Sequence, residues 1–217
     1  MRNSQVGTKR SGRALLGIFS MIGFLSSAPG VARAETCPTA ADLETGIVLT
    51  EKGPRGSVVT IQRRVSPDII LSGGYVTPRE TRPSMTTRSH AGFLSLQTVE
   101  NGRLLEDRSY DPPPAEIMPF SGNTRYRARA GDRDFDFVVD VAERGRVSLG
   151  GCSYDAIHLR MRTSGKLRSG KDFESVTERV YIPALAYATM GTLKSVGTLE
   201  VRHWRPGDPV IEDFRGE

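Results

Sequence analysis

The chain has 217 residues, 37% of them hydrophobic, and carries 30 Lys and Arg against 25 Asp and Glu, a formal net charge of +5. That is enough chain for one domain with a real core. Five of the basic residues, Arg2, Lys9, Arg10, Arg13 and Arg33, fall within residues 1–34, where no acid occurs, so the remainder balances at 25 against 25. A balanced chain lacks the net basic surface that neutralises phosphates, which sets nucleic acid aside as a partner.

Residues 1–34 read as a cleavable signal peptide. A basic n-region leads into the apolar run 14–24, and the segment closes on Ala32-Arg33-Ala34, a small-x-small cleavage site. The run is too short for an uncleaved anchor, which takes about 20 residues. Ala34-Glu35-Thr36 before Cys37 is not the context of a lipid-modified cysteine, and residues 1–34 contain no twin-arginine pair. The expectation is therefore a single β-rich exported domain, 35–217, periplasmic or secreted, with no later transmembrane span and no preloaded cofactor. Both cysteines, Cys37 and Cys152, survive the cut. In an oxidising compartment an even pair reads as a disulfide rather than as a nucleophile, because nothing in the sequence sets a base beside Cys152.

The elements follow in chain order. One short helical turn is expected at 39–45, then strands at 57–65 and 69–76. Residues 77–89, rich in Pro, Arg, Ser and Thr, read as a mobile loop. Residues 92–110 form a hairpin about Asn101-Gly102, whose positive-φ preference suits a type I′ turn. The stretch 111–119, Asp-Pro-Pro-Pro-Ala-Glu-Ile-Met-Pro, cannot be a central strand, because consecutive prolines remove backbone donors. It either divides the chain into two β halves or crosses over within one barrel, and the crossover is preferred.

Arg125, Arg127 and Arg129 alternate on one strand face. A turn at 130–133 would set them against Asp134, Asp136 and Asp140 of the next strand, 134–141, whose Phe135, Phe137, Val139 and Val141 form the buried face. Arg144-Gly145-Arg146 reads as a hairpin into a strand at 153–162, with Ile157, Leu159 and Met161 inward and His158, Arg160 and Arg162 outward. Strands at 173–182 and 198–204 complete an antiparallel curved sheet, a half-barrel or small barrel with little helix.

Three short motifs bear on kinship: Met118-Pro119-Phe120-Ser121-Gly122-Asn123, Val147-Ser-Leu-Gly-Gly-Cys-Ser-Tyr-Asp155, and Tyr181-Ile-Pro-Ala-Leu185. Together, over roughly 93–195, they resemble an uncharacterised exported bacterial β-rich family. Ala186 departs from that pattern, which carries glycine there. The resemblance implies a curved sheet akin to the half-barrels of periplasmic lipoprotein carriers, and it implies no catalytic residue.

Chemistry-bearing residues are few. His90, His158 and His203 lie far apart and match no zinc spacing, so no metal is expected. No nucleophile elbow, phosphate loop or dinucleotide fingerprint occurs, so neither catalytic residues nor a cofactor are assigned. Arg125, Arg127 and His158 stay as candidate ligand or anion contacts, beside their plainer readings as cross-strand pairing and a surface histidine. The leading expectation is a non-enzymatic binding module for a lipid or other apolar ligand, or for an envelope protein. The alternatives are a hydrolase with a loop-assembled site and a structural interaction module.

Overall fold

A computed structural model of the chain describes residues 36–167 and 169–212; the signal-peptide segment lies outside them. Twelve strands make one antiparallel sheet: β1 (Ile47–Gly53), β2 (Gly56–Ser66), β3 (Ile69–Thr77), β4 (Met85–His90), β5 (Leu94–Glu100), β6 (Arg103–Asp111), β7 (Thr124–Ala130), β8 (Arg133–Leu149), β9 (Cys152–Lys166), β10 (Asp172–Ile182), β11 (Tyr187–Met190) and β12 (Leu199–His203). Spatial order is a plain meander from β11 back to β1, with β12 added outside β1. The sheet does not close. Its free edges, β11 and β12, are four and five residues long, short enough to discourage a further strand from adding.

Local chemistry explains the turns. Asn101 and Gly102 take φ of 50° and 80°, and Glu100 pairs directly with Arg103 across them, as a type I′ turn requires. The 111–119 stretch joins β6 to β7, which are sheet neighbours, and contains one helical turn, α1 (Pro114–Ile117). There Pro sits at a helix start, where its missing N–H costs nothing.

A single bulge organises the long strands. The β8–β9 register shifts between Val141 and Glu143, leaving Ala142 as the extra residue. Odd-numbered residues of β8 therefore point one way before it and the opposite way after it. The unbulged β9 shows the same change as a switch in what it buries, from Cys152, Tyr154 and Ala156 to Ile157, Leu159 and Met161.

The two halves of the β8–β10 ribbon thus carry cores on opposite faces. One core joins Val147, Leu149, Tyr154, Val180 and Ile182 to Leu43, Ile47, Leu49, Ile70 and Leu199. The other joins Tyr126, Val139, Leu159 and Tyr181 to Leu94, Ile117 and Phe120. A sheet in which the turn between β4 and β5 touches β10, through Phe93 and Tyr181, has to curl. A third cluster, Val48, Val59, Ile61, Leu71 and Ile211, covers the far side of β1–β3 with the C-terminal tail. Asp208 clamps that tail through two 2.6 Å bonds from Arg202, and Trp204 Nε1 donates to Pro209 O.

Cys37 and Cys152 form a disulfide across 115 residues. It fastens the segment before β1 to the start of β9, where Tyr154 Oη also donates to Pro38 O. The short turn expected at 39–45 is a 3-10 helix, Ala40–Glu44, closed by Thr39 and Asp42.

Two local expectations fail. Residues 77–89 are not a loop throughout, because Met85–His90 is strand β4, paired on both sides. Its Met-Thr-Thr-Arg-Ser-His composition hid it, having no apolar alternation to read. Arg144-Gly145-Arg146 is not a turn. β8 runs through it to Leu149, and the chain reverses at Gly150-Gly151, both with positive φ. Along one face of β10, Val176 is 46% exposed, while Val180 and Ile182 are fully buried.

Candidate binding cavity

Arg125, Arg127, Arg129, Asp134, Asp136, Asp140 and His158 all sit on one face of the β7–β10 sheet, the face opposite Tyr126 and Phe137; His90 in β4 and His203 in β12 lie apart from them. Arg127 Nε lies 3.1 Å from Asp136 Oδ1 and Arg129 Nε lies 2.8 Å from Asp134 Oδ1, so two rungs of the expected ladder form. The third does not, since Asp140 accepts instead from Asn123 Nδ2. Arg125 lines a small pocket with Asp140, Arg160 and Arg162. His158 Nε2 lies 2.7 Å from Glu178 Oε2 and is only 14% exposed, so it is not the open surface histidine expected. The Arg129 bond holds the Asp134 carboxyl below its usual range. The Arg127–Asp136 and Arg129–Asp134 pairs are exposed to water, where such pairs contribute little.

The opposite face carries the cavity. Between the curled-in strands β5 and β6 and the ribbon β7–β10 lies a space of about 400 Å³, within the ~300–1,000 Å³ usual for small-molecule sites. The register builds its wall. Tyr126 of β7 is opposite Phe137 of β8, and their rings stack at 4.8 Å. Phe137 faces Thr163 of β9, and Thr163 faces Ser175 of β10. Met161 faces Thr177, and Leu159 faces Arg179. Phe93 closes the other side, edge-on to Phe120 at 4.8 Å and to Tyr181 at 5.6 Å.

At one end Phe135 and Phe173 meet edge-on at 6.1 Å across Gly165, which pairs with both. A Cβ on Gly165 would stand 3.0 Å from the Phe135 ring and 2.8 Å from Asp134 O. The glycine makes room for the aromatic pair. Arg133 lies over the Phe135 ring, 5.2 Å from its centroid, a cation–π arrangement.

Inside this aromatic wall are two arginines. Arg108 Nη2 lies 2.8 Å from Glu106 Oε2. Burial works against its charge, but the bond and charge of Glu106, with Tyr110, raise its pKa above the ordinary arginine value. Arg179 has no ion-pair partner among the described residues. Burial pushes its pKa down, the Tyr126 phenol opposes and Arg108 adds to the fall. Arg108 Nε, Arg179 Nε and Thr177 Oγ1 are all buried without a hydrogen-bond partner among the described residues, and all three residues line this cavity. The phenols stay neutral. Burial raises the pKa of Tyr126 and Tyr110, and Tyr110 Oη donates to Ser95 O at 2.6 Å.

Sequence reading missed Arg108, Arg179, Tyr110 and Phe173. One signal was present: Phe173, Ser175, Thr177, Arg179 and Tyr181 alternate along β10 toward one face, and an arginine between apolar positions is unusual on an inward stripe. The other face of β10, Glu174, Val176 and Glu178, is equally mixed, so the alternation gives no contrast.

Among the described residues no group of His, Cys, Asp and Glu is arranged to hold a metal ion, and no helix is long and apolar enough to cross a membrane. No family model matches the chain, and no curated protein matches it. Two solved structures are similar to it. One is the hypothetical lipoprotein YmcC from Escherichia coli K12, 10% identical over 72% of this chain and 82% of that one, at a TM-score of 0.40. The other is a Bacteroides fragilis protein described as exported and as having a YmcC-like fold, 8% identical over 73% of this chain and 92% of its own, at a TM-score of 0.31.

Proposed function

We propose that this is an exported, non-enzymatic binding protein that holds an apolar ligand in the cavity between β5–β6 and β7–β10. The observation that carries the reading is the aromatic wall of that cavity, formed by Phe93, Tyr126, Phe135, Phe137 and Phe173. A monomeric domain normally fills such a face with its own helix or side chains. Here the one α-helix among the described residues, the four-residue α1, puts its buried Ile117 into the neighbouring core and leaves the cavity open. Export rests on the composition of residues 1–34 and fits the disulfide.

Ser175 lines the cavity from a solvent-accessible strand position, so a large side chain there plugs it without opening the core. The neutral fluorophore N-phenyl-1-naphthylamine should bind the wild-type protein with saturable, one-to-one enhancement. Ser175→Trp should weaken that binding at least tenfold with an unchanged melting temperature. Absence of binding by wild type, or equal binding by Ser175→Trp, would overturn the reading.

A further inference from the structure

The geometry points to an amphiphile with a compact anionic head, a carboxylate or phosphate, as the occupant of this cavity, with its head on Arg179 and Arg108 and its chain along the aromatic wall. The inference rests on the binding function proposed above and specifies its ligand.

Three observations converge. Arg179 and Arg108 with Glu106 leave one net positive charge at the cavity, and Arg179 has no acidic partner among the described residues. A half-buried cation without a counter-charge is costly, and a protein keeps one where a ligand supplies the missing charge. The buried atoms left without partners there, Arg108 Nε, Arg179 Nε and Thr177 Oγ1, are all able to donate. A cluster of donors with nothing to accept from them matches an acceptor-only group, and carboxylates and phosphates are the strongest such acceptors. The surrounding wall is aromatic and aliphatic: the Tyr126–Phe137 stack, Phe93 and Met161. A free inorganic anion would have no use for it.

The test measures displacement of N-phenyl-1-naphthylamine by dodecanoate, dodecyl phosphate, dodecanol and inorganic phosphate, each below its micellar concentration, on wild type, Arg179→Gln and Arg179→Met. Dodecanoate or dodecyl phosphate should bind wild type at least tenfold tighter than dodecanol, the size of one charge-assisted hydrogen bond. The two arginine variants should lose that preference while still binding dodecanol. Whichever anionic head binds tighter identifies the head. Arg179→Met should also raise the melting temperature of the ligand-free protein, whereas an arginine kept for stability would lower it. Equal binding of dodecanoate and dodecanol by wild type would overturn the anionic head and leave the apolar cavity standing. Displacement by inorganic phosphate as strong as by dodecanoate would overturn the amphiphile. Binding of neither would overturn this inference and the proposed function together.

Discussion

Serine in place of both Cys37 and Cys152 is expected to cost about 2–5 kcal/mol of stability, the range for native disulfides in small exported domains. The bond closes a span of 115 residues, and in the chain-entropy model a loop near that length gives about 4.7 kcal/mol. The native side points the same way. The bond anchors residues 37–46 over the core, where Leu43 is fully buried and Tyr154 Oη donates to Pro38 O at 3.0 Å. Urea unfolding of the double-serine variant measures the loss directly. A change under about 1 kcal/mol would mean that Leu43 and β1 hold the N-terminal segment without help, and that the unfolded chain is already compact.

Gly92→Ala should be about as damaging, for a different reason. Gly92 has φ +72°, and a Cβ there would lie 1.6 Å from Ala186 O and 2.4 Å from Ala186 C, so backbone has to move. The turn between β4 and β5 would lift from the 3-10 segment Pro183–Leu185. It would take with it the 2.8 Å bond from Tyr181 Oη to Ala91 O, whose phenol burial has pushed to about 12. Left-handed strain of about 1–2 kcal/mol and a lost hydrogen bond of about 1–3 kcal/mol give a total on the order of 2–5 kcal/mol. Gly102→Ala is the control. Its φ is +80° but nothing lies within 4 Å, so it should show the strain alone, about 1–2 kcal/mol. Equal losses from the two variants would mean that the close approach at Gly92 contributes nothing.

The legible parts of the fold were those where one face differs from the other. Phe135, Phe137, Val139 and Val141 against Asp134, Asp136 and Asp140 read correctly as a half-buried strand, and Arg127–Asp136 and Arg129–Asp134 read correctly as its rungs. Asn101-Gly102 named its own turn. Reading failed where polarity is even on both faces, as in β4, and where backbone events have no side-chain signature. The bulge at Ala142 is the clearest case. It extends β8 past Arg144-Gly145-Arg146 and moves the core to the other face, yet no residue type announces it. The cavity was illegible for a related reason. It exists because β5 and β6 curl over β10, which brings Arg108 and Arg179 together across 71 residues of sequence. The rungs legible in the sequence lie on the water side, while Arg179, with no ion-pair partner among the described residues, stands in the cavity wall.

The most direct test of the cavity as a ligand site uses the methionines as reporters. Residues 35–217 contain four, Met85, Met118, Met161 and Met190. Met161 lines the cavity, Met118 is packed in the adjoining core, and Met85 and Met190 are exposed at 44% and 57%. In a 13C-methyl methionine NMR titration with dodecanoate, the Met161 signal should move and saturate at one equivalent while Met85 and Met190 stay fixed. A Met161 signal that does not move, or exposed methionines that move with it without saturating, would contradict the account.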